Sequence, residues 1–198
     1  MVTGRVSYLL VFAVILGIYQ GCDRKSRPAQ GVSADSLLIQ YQALTDSVDS
    51  NWMVMIDDDD QKHFLMNRLL QEVSYTNNYD KARLEQLTML LDELIDMRYD
   101  QQTMSDSDLI DAYDSATFAV CDQIFAFARS HPRFESIPIM AELIEDINAR
   151  NNYILMHRIH YDNWVKELNE FKKNNKDAIL SGDASIDVEE MPLFQLPF

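Results

Sequence analysis

The stretch IPIMAELIEDINARNNYILMHRIHYDNWVKELNEFKK, residues 137–173, decides the fold. Its seam runs Met140, Leu143, Ile147, Arg150, Ile154, His157, Tyr161, Trp164, Leu168 and Phe171. The positions advance by alternating steps of three and four, which on an α-helix forms one continuous stripe in unbroken heptad register. Pro138 is compatible with this because it falls in the first turn, where a backbone N–H has no partner inside the helix. The pattern predicts a helix from about Ile137 to Lys173, about 55–60 Å long. Asn174-Asn175-Lys176-Asp177 reads as its stop.

Three more helical patterns precede it. The third helix is expected over about Asp108–Ser130, opened by the capping cluster Ser105-Asp106-Ser107-Asp108 and closed by His131-Pro132. Its stripe is Ile110, Tyr113, Phe118, Val120, Cys121, Ile124, Phe125 and Ala128. The second covers roughly Tyr79–Tyr99, with Leu84, Leu87, Leu90, Leu91, Leu94 and Ile95. The first, as long as the fourth, runs from about Asp35 to Tyr75. It carries Leu38, Tyr41, Val48, Trp52, Met55, Ile56, Met66, Leu69, Leu70 and Val73 at three-four spacing. Short loops join helices as antiparallel neighbours. The expected fold is all-α, an elongated antiparallel up-down four-helix bundle over residues 35–173, with long first and last helices. Hydrophobic residues make up 47% of the 198, against 5 Gly and 5 Pro, which suits long helices rather than a sandwich or barrel.

Residues 174–198 depart from the helical pattern. The stretch Met191-Pro-Leu-Phe-Gln-Leu-Pro-Phe198 is apolar, and its two prolines make it extended. It is expected to fold back on the bundle, the alternative being a linear motif offered to a partner.

Residues 1–21 read as a signal peptide: Arg5, then the uncharged run from Val6 to Tyr19. Fourteen residues rise about 21 Å as a helix, short of the roughly 30 Å of a bilayer's hydrocarbon. Gly21-Cys22 resembles the lipobox of bacterial lipoproteins, in which the cysteine is acylated on its thiol and becomes the new N-terminus. Palmitate-type lipidation of Cys22 is therefore expected, with residues 22–34 as a polar tether carrying Arg24, Lys25 and Arg27. An uncleaved signal anchor is the alternative. Either places the rest of the chain at the periplasmic or other extracytoplasmic face of a bacterial membrane.

The net charge is −15. So acidic a surface repels phosphate backbones, and nucleic acid is set aside as a partner. Asp57-Asp58-Asp59-Asp60 is the densest charge run. On a helix its side chains point about 100° apart, so one cation would meet only a pair of them, and the ligand spacing of a calcium loop is absent. The run reads as a solvated acidic girdle that interrupts the stripe of the first helix. His157 and His160 lie three apart, and His63 sits on the first helix with Asp60 three residues before it. A di-iron bundle needs two Glu-x-x-His pairs and two further Glu, which the chain does not supply. His157 and Arg150 read instead as polar seam residues that set register by pairing with acids across the core. Cys121, on an apolar stripe with no base beside it, reads as buried filler. No metal, cofactor, small-molecule substrate or catalytic residue is assigned. An internal carboxylate/histidine site of an enzyme or metal protein is the rival reading.

The fourth-helix segment resembles the LemA family, membrane-tethered bacterial helical bundles. Those proteins carry Tyr-Pro before this helix, then a pattern like Glu-x-x-Ile-x-x-Ala-Arg-x-x-Tyr-Asn-x-x-Val-x-x-Tyr-Asn. Here His131-Pro132-Arg133-Phe134 precedes the helix, and Arg158, Tyr161, Val165 and Asn169 match the pattern. Asp162 and Leu168 replace the family's Asn and Tyr. In the first helix Val48-Asp49-Ser50-Asn51-Trp52 and Met66-Asn67-Arg68-Leu69 are similar to family segments, whereas the family's Arg-rich middle is here Asp57–Gln61. The resemblance implies a bundle fold and a membrane-attached location, and it does not imply an activity. It marks Trp52, Arg158, Tyr161, Val165 and Asn169 as packing and capping residues. The function expected from the whole is a non-enzymatic, lipid-anchored scaffold or partner-binding module at the cell envelope.

Overall fold

The computed structural model describes residues 33–194. The leader, Cys22, most of the tether and the last four residues lie outside the described residues. The described part is all-helical. α1 spans Ala34–Ser74, α2 Lys81–Met97, α3 Ser107–Arg129 and α4 Pro138–Gly182, with a 3-10 turn at Phe134–Ser136 before α4. At 1.5 Å per residue α1 and α4 are about 61 and 67 Å long, and α2 and α3 about 25 and 34 Å. Among the described residues, no helix is long and apolar enough to cross a membrane.

Local chemistry explains the helix ends. Asp80 caps α2 by accepting from Arg83 N, and Asp106 caps α3 by accepting from Asp108 N. Pro138 opens α4. The corner at His131-Pro132 is fastened to the end of α1, where the Thr76 hydroxyl lies 2.7 Å from His131 Nε2.

α1 and α4 pair antiparallel and form the main body of the bundle, while α2 and α3 form a hairpin laid against α1. Asp58 of α1 meets Arg150 and His157 of α4, and Leu38 meets Gly182. A Cβ at Gly182 would stand 3.1 Å from Leu38 Cδ1, so glycine lets the end of α4 settle on the start of α1. The α4 seam holds as read: Met140, Leu143, Ile147, Ile154, Tyr161 and Leu168 are buried, and Arg150, His157, Trp164 and Phe171 are partly so.

The structure departs from the sequence reading at four places. α4 does not stop at Asn174. Asn175 leaves helical dihedrals (φ −125°, ψ 16°), but its amide donates to Phe171 O, and the helix resumes to Gly182 around the buried Ile179. The domain boundary at 173 therefore falls inside a helix. Ile95 and Phe118 point outward, because Leu94 and Thr117, one residue earlier, occupy the inward positions. Successive helical residues point about 100° apart, so at these two places only the first of the pair faces the core. Near the start of α1, Leu37 is buried in preference to Leu38. Finally, α1 runs unbroken through Asp57–Asp60, which is neither an irregularity nor wholly a solvated girdle.

Candidate functional site

The alternating register of α1 runs Val48, Trp52, Met55, Asp59, Lys62, Met66, Leu69, Val73. It passes straight through the acidic run, so helical phase turns Asp59 and Lys62 inward and leaves Asp57 and Asp60 exposed. Asp58, one residue off the seam, is also buried. Two of four adjacent carboxylates thus lie in the core, and each must be paired there.

Lys62 Nζ sits 2.8 Å from Asp59 Oδ1, both almost fully buried. The Tyr113 hydroxyl of α3 donates to Asp59 Oδ2, and Arg98 Nε lies 3.4 Å from the same oxygen. Arg98 also donates to Asp60 at 2.7 Å. Burial alone would raise the pKa of Asp59, but Lys62, the Tyr113 hydroxyl and Arg98 outweigh it and hold the carboxyl below its ordinary value. Arg150 Nη1 donates to Asp58 Oδ1, and His157 Nε2 stands 2.8 Å from Asp58 Oδ2. The reading of Arg150 and His157 as polar seam residues matched to acids across the core is what the structure contains.

One turn further along α4 lies a box of aromatic rings. Trp52 of α1 and Tyr161 of α4 meet edge-on at 5.5 Å, and Trp52 and Tyr99, from the α2–α3 loop, at 6.1 Å. Phe194 of the tail fills the box. It stacks on Trp52 at 6.2 Å with an 11° interplanar angle, and turns its edge to Tyr99 and Tyr161. Arg158 covers it, its guanidinium 5.1 Å from the ring centroid. Arg158 is itself fixed by two bonds to Asp114 of α3, 2.6 and 2.7 Å, and one to the Tyr99 hydroxyl, 2.8 Å. Burial, then the neighbouring Asp114 carboxylate, overcomes the pull of Arg158 and pushes the Tyr99 phenol up to about 12.

The tail runs back along α4 and is held by its backbone. The Asn169 amide forms a two-way clamp: Nδ2 donates to Met191 O, and Oδ1 accepts from Met191 N, both at 2.9 Å. Lys172 Nζ donates to Glu189 O, and Asp162 Oδ1 accepts from Phe194 N, each at 2.9 Å. The expectation that Met191–Phe198 folds back on the bundle holds for residues 191–194, the part of it that is described.

The residues marked by the family resemblance converge here. Trp52, Tyr161 and Arg158 touch Phe194, and Asn169 clamps Met191. Val165 is fully buried one turn away. The Tyr161 hydroxyl donates to Met104 Sδ at 3.4 Å. Sequence reasoning missed Asp58, Asp59, Lys62, Arg98, Tyr99 and Asp114 as members of this assembly. The α1 register alone marks Asp59 and Lys62; the rest are joined by contacts between helices. Cys22, the expected lipid site, lies outside the described residues. Cys121 is free and buried, and burial raises its thiol to about 11, leaving it protonated at neutral pH. His160 lies 6.5 Å, ring to ring, from His157, which pairs with Asp58. Among the described residues no three His, Cys, Asp or Glu side chains come together as metal ligands.

Compared with known proteins, the chain matches no family model, no curated protein and no solved structure.

Proposed function

We propose that this protein is a lipid-anchored helical bundle of LemA type, acting as a non-enzymatic partner-binding module at the extracytoplasmic face of a bacterial membrane. The observation that carries the binding part is the groove along α4, which holds an extended chain segment by its backbone and seats one aromatic ring among Trp52, Tyr99 and Tyr161. Sequence-independent backbone bonds combined with a side-chain pocket are the ordinary means of peptide recognition. The ionic centre beside the box suits a scaffold, since it fixes the register in which α1, α3 and α4 meet. The membrane part rests on the uncharged leader and Gly21-Cys22.

Two measurements test the two parts. For the anchor, Cys22→Ser is expected to give a chain that leaves the membrane without detergent and lacks acyl mass. Retention in the membrane at unchanged mass would overturn the anchor. For the groove, Phe194→Ala is expected to free the tail to proteolysis while circular dichroism stays helical. Collapse of the helices would make the tail a core element and sink the binding reading.

A further inference from the structure

We infer that the α4 groove is a receptor for acidic, extended peptide segments carrying a phenylalanine, and that residues 187–194 of this chain are its intramolecular competitor. The inference rests on the partner-binding reading above and names the chemistry of the partner.

Three observations carry it. First, the walls of the receptor are tied to one another as well as to the occupant. Trp52 holds Tyr99 and Tyr161 by ring contacts of their own, and Arg158 is fixed by Asp114 and Tyr99. None of these contacts runs through Phe194. Second, the recognition is generic along the backbone and selective at one ring. Asn169, Lys172 and Asp162 bind main-chain atoms, which every peptide has. The box reads the ring most closely, Met191 and Leu193 pack beside it on the core, and a flat ring stacked on Trp52 under a guanidinium fills the box best. Third, charge is complementary in a protein that is otherwise strongly acidic. Asp187 and Glu189 lie in the field of the buried Lys172, and Lys176 Nζ stands 3.6 Å from Glu189 Oε1. An acidic stretch five to seven residues before a phenylalanine satisfies both ends of the groove at once.

The attachment is concentrated at the end of the tail, where Phe194 is buried and Met191 and Leu193 pack on the core. Residues 183–185, 187, 189 and 190 are exposed, so the tail is held at a few points rather than along its length. A tethered segment competes at an effective concentration of order mM, so the resident tail weakens any partner of similar chemistry in proportion. Access to the groove is thereby set by the tail.

The probe is a fluorescently labelled peptide with the sequence of residues 186–194, titrated into full-length Phe194→Ala and into the unaltered chain, and read by anisotropy. Saturable binding to Phe194→Ala is expected, at least about tenfold tighter than to the unaltered chain. A peptide with its phenylalanine changed to alanine is expected to lose binding. A peptide with both glutamates changed to lysine is expected to bind more weakly, and the acidic peptide to weaken with added salt. Absence of saturation up to about 1 mM on a helical Phe194→Ala chain would overturn the inference and leave the groove itself intact. Melting of that variant would instead strike the partner-binding reading. A second variant, Glu189→Lys with Glu190→Lys, leaves the box untouched. It is expected to loosen the tail and tighten binding of the acidic peptide; unchanged proteolysis and unchanged peptide affinity would count against the charge argument.

Discussion

Two neighbouring regions of the α1–α4 body solve different problems. The middle buries charge: Asp58, Asp59 and Lys62 sit in the core with Arg98, Arg150 and His157 around them. The aromatic end buries rings: Trp52, Tyr99, Tyr161 and Phe194. Charges taken out of water recover little net stability from each other but are very costly to leave unpaired. Rings gain by burial in almost any close arrangement. The middle therefore dictates which helix faces meet, and the end closes around the ring of Phe194. Arg158 touches both worlds, bound to Asp114 on one side and lying over Phe194 on the other.

The largest expected effect comes from unpairing the middle. Lys62→Met leaves Asp59 buried with less than its full complement of cations, and should cost about 3–5 kcal/mol in urea unfolding. Adding Asp59→Asn should recover much of that loss, because no bare charge then remains; a double variant as unstable as the single would deny that the pair acts as a unit. Next comes the aromatic end. Phe194→Ala should cost about 1.5–3 kcal/mol of tail docking, seen as fast hydrogen exchange confined to residues 183–194. Global loss on the scale of Lys62→Met would erase the distinction between the two regions.

Acid should reach the middle in two stages. Burial holds the pKa of His63 below its ordinary value, with Asp59 pulling it up and Arg98 and Lys62 pushing it down. The unfolded chain then takes this proton more readily than the folded one, so stability should begin to fall as the pH drops below about 6.5. The carboxyl of Asp59 is shifted the other way. Its contribution is complete above the unfolded value near about 4 and is lost as the pH falls through its lower folded value. His63→Leu should abolish the upper stage and leave the lower, as measured by urea midpoints at stepped pH. The smallest effect is expected at Asp162, whose pKa is raised by burial against the pull of the Phe194 N–H and Lys166. Asp162→Asn keeps an acceptor for Phe194 N and removes a buried charge. It should change stability by less than about 0.5 kcal/mol at neutral pH, or raise it slightly. A marked loss would show that the negative charge itself holds the tail.

Much of the fold was legible in the sequence. The alternation from Met140 to Phe171 fixes α4, the Asp106 and Pro138 positions fix helix starts, and His131-Pro132 fixes the end of α3. Of the candidate site, Trp52, Arg158, Tyr161 and Asn169 were marked by resemblance and Arg150 and His157 by their place on the seam. Asp58, Asp59 and Lys62 were misjudged because charge was weighed before phase, although the α1 register runs through Asp59 and Lys62. The break read at Asn174–Asp177 is present as a kink at Asn175, whose amide donates to Phe171 O, but the chain resumes its helix to Gly182 beyond it.

By itself, then, the sequence determined where helices run and which stripe of each turns inward, since both follow from local periodicity and capping. Tertiary structure alone decided which carboxylates could stay buried, where Arg158 finds Asp114, and how Met191 and Phe194 return to Asn169 and Trp52. The physical reason is distance along the chain. A periodicity is written within a few turns, as is the Asp59–Lys62 pair, but Asp58, Arg158, Met191 and Phe194 find partners 22 to 142 residues away, brought there only when the helices pack.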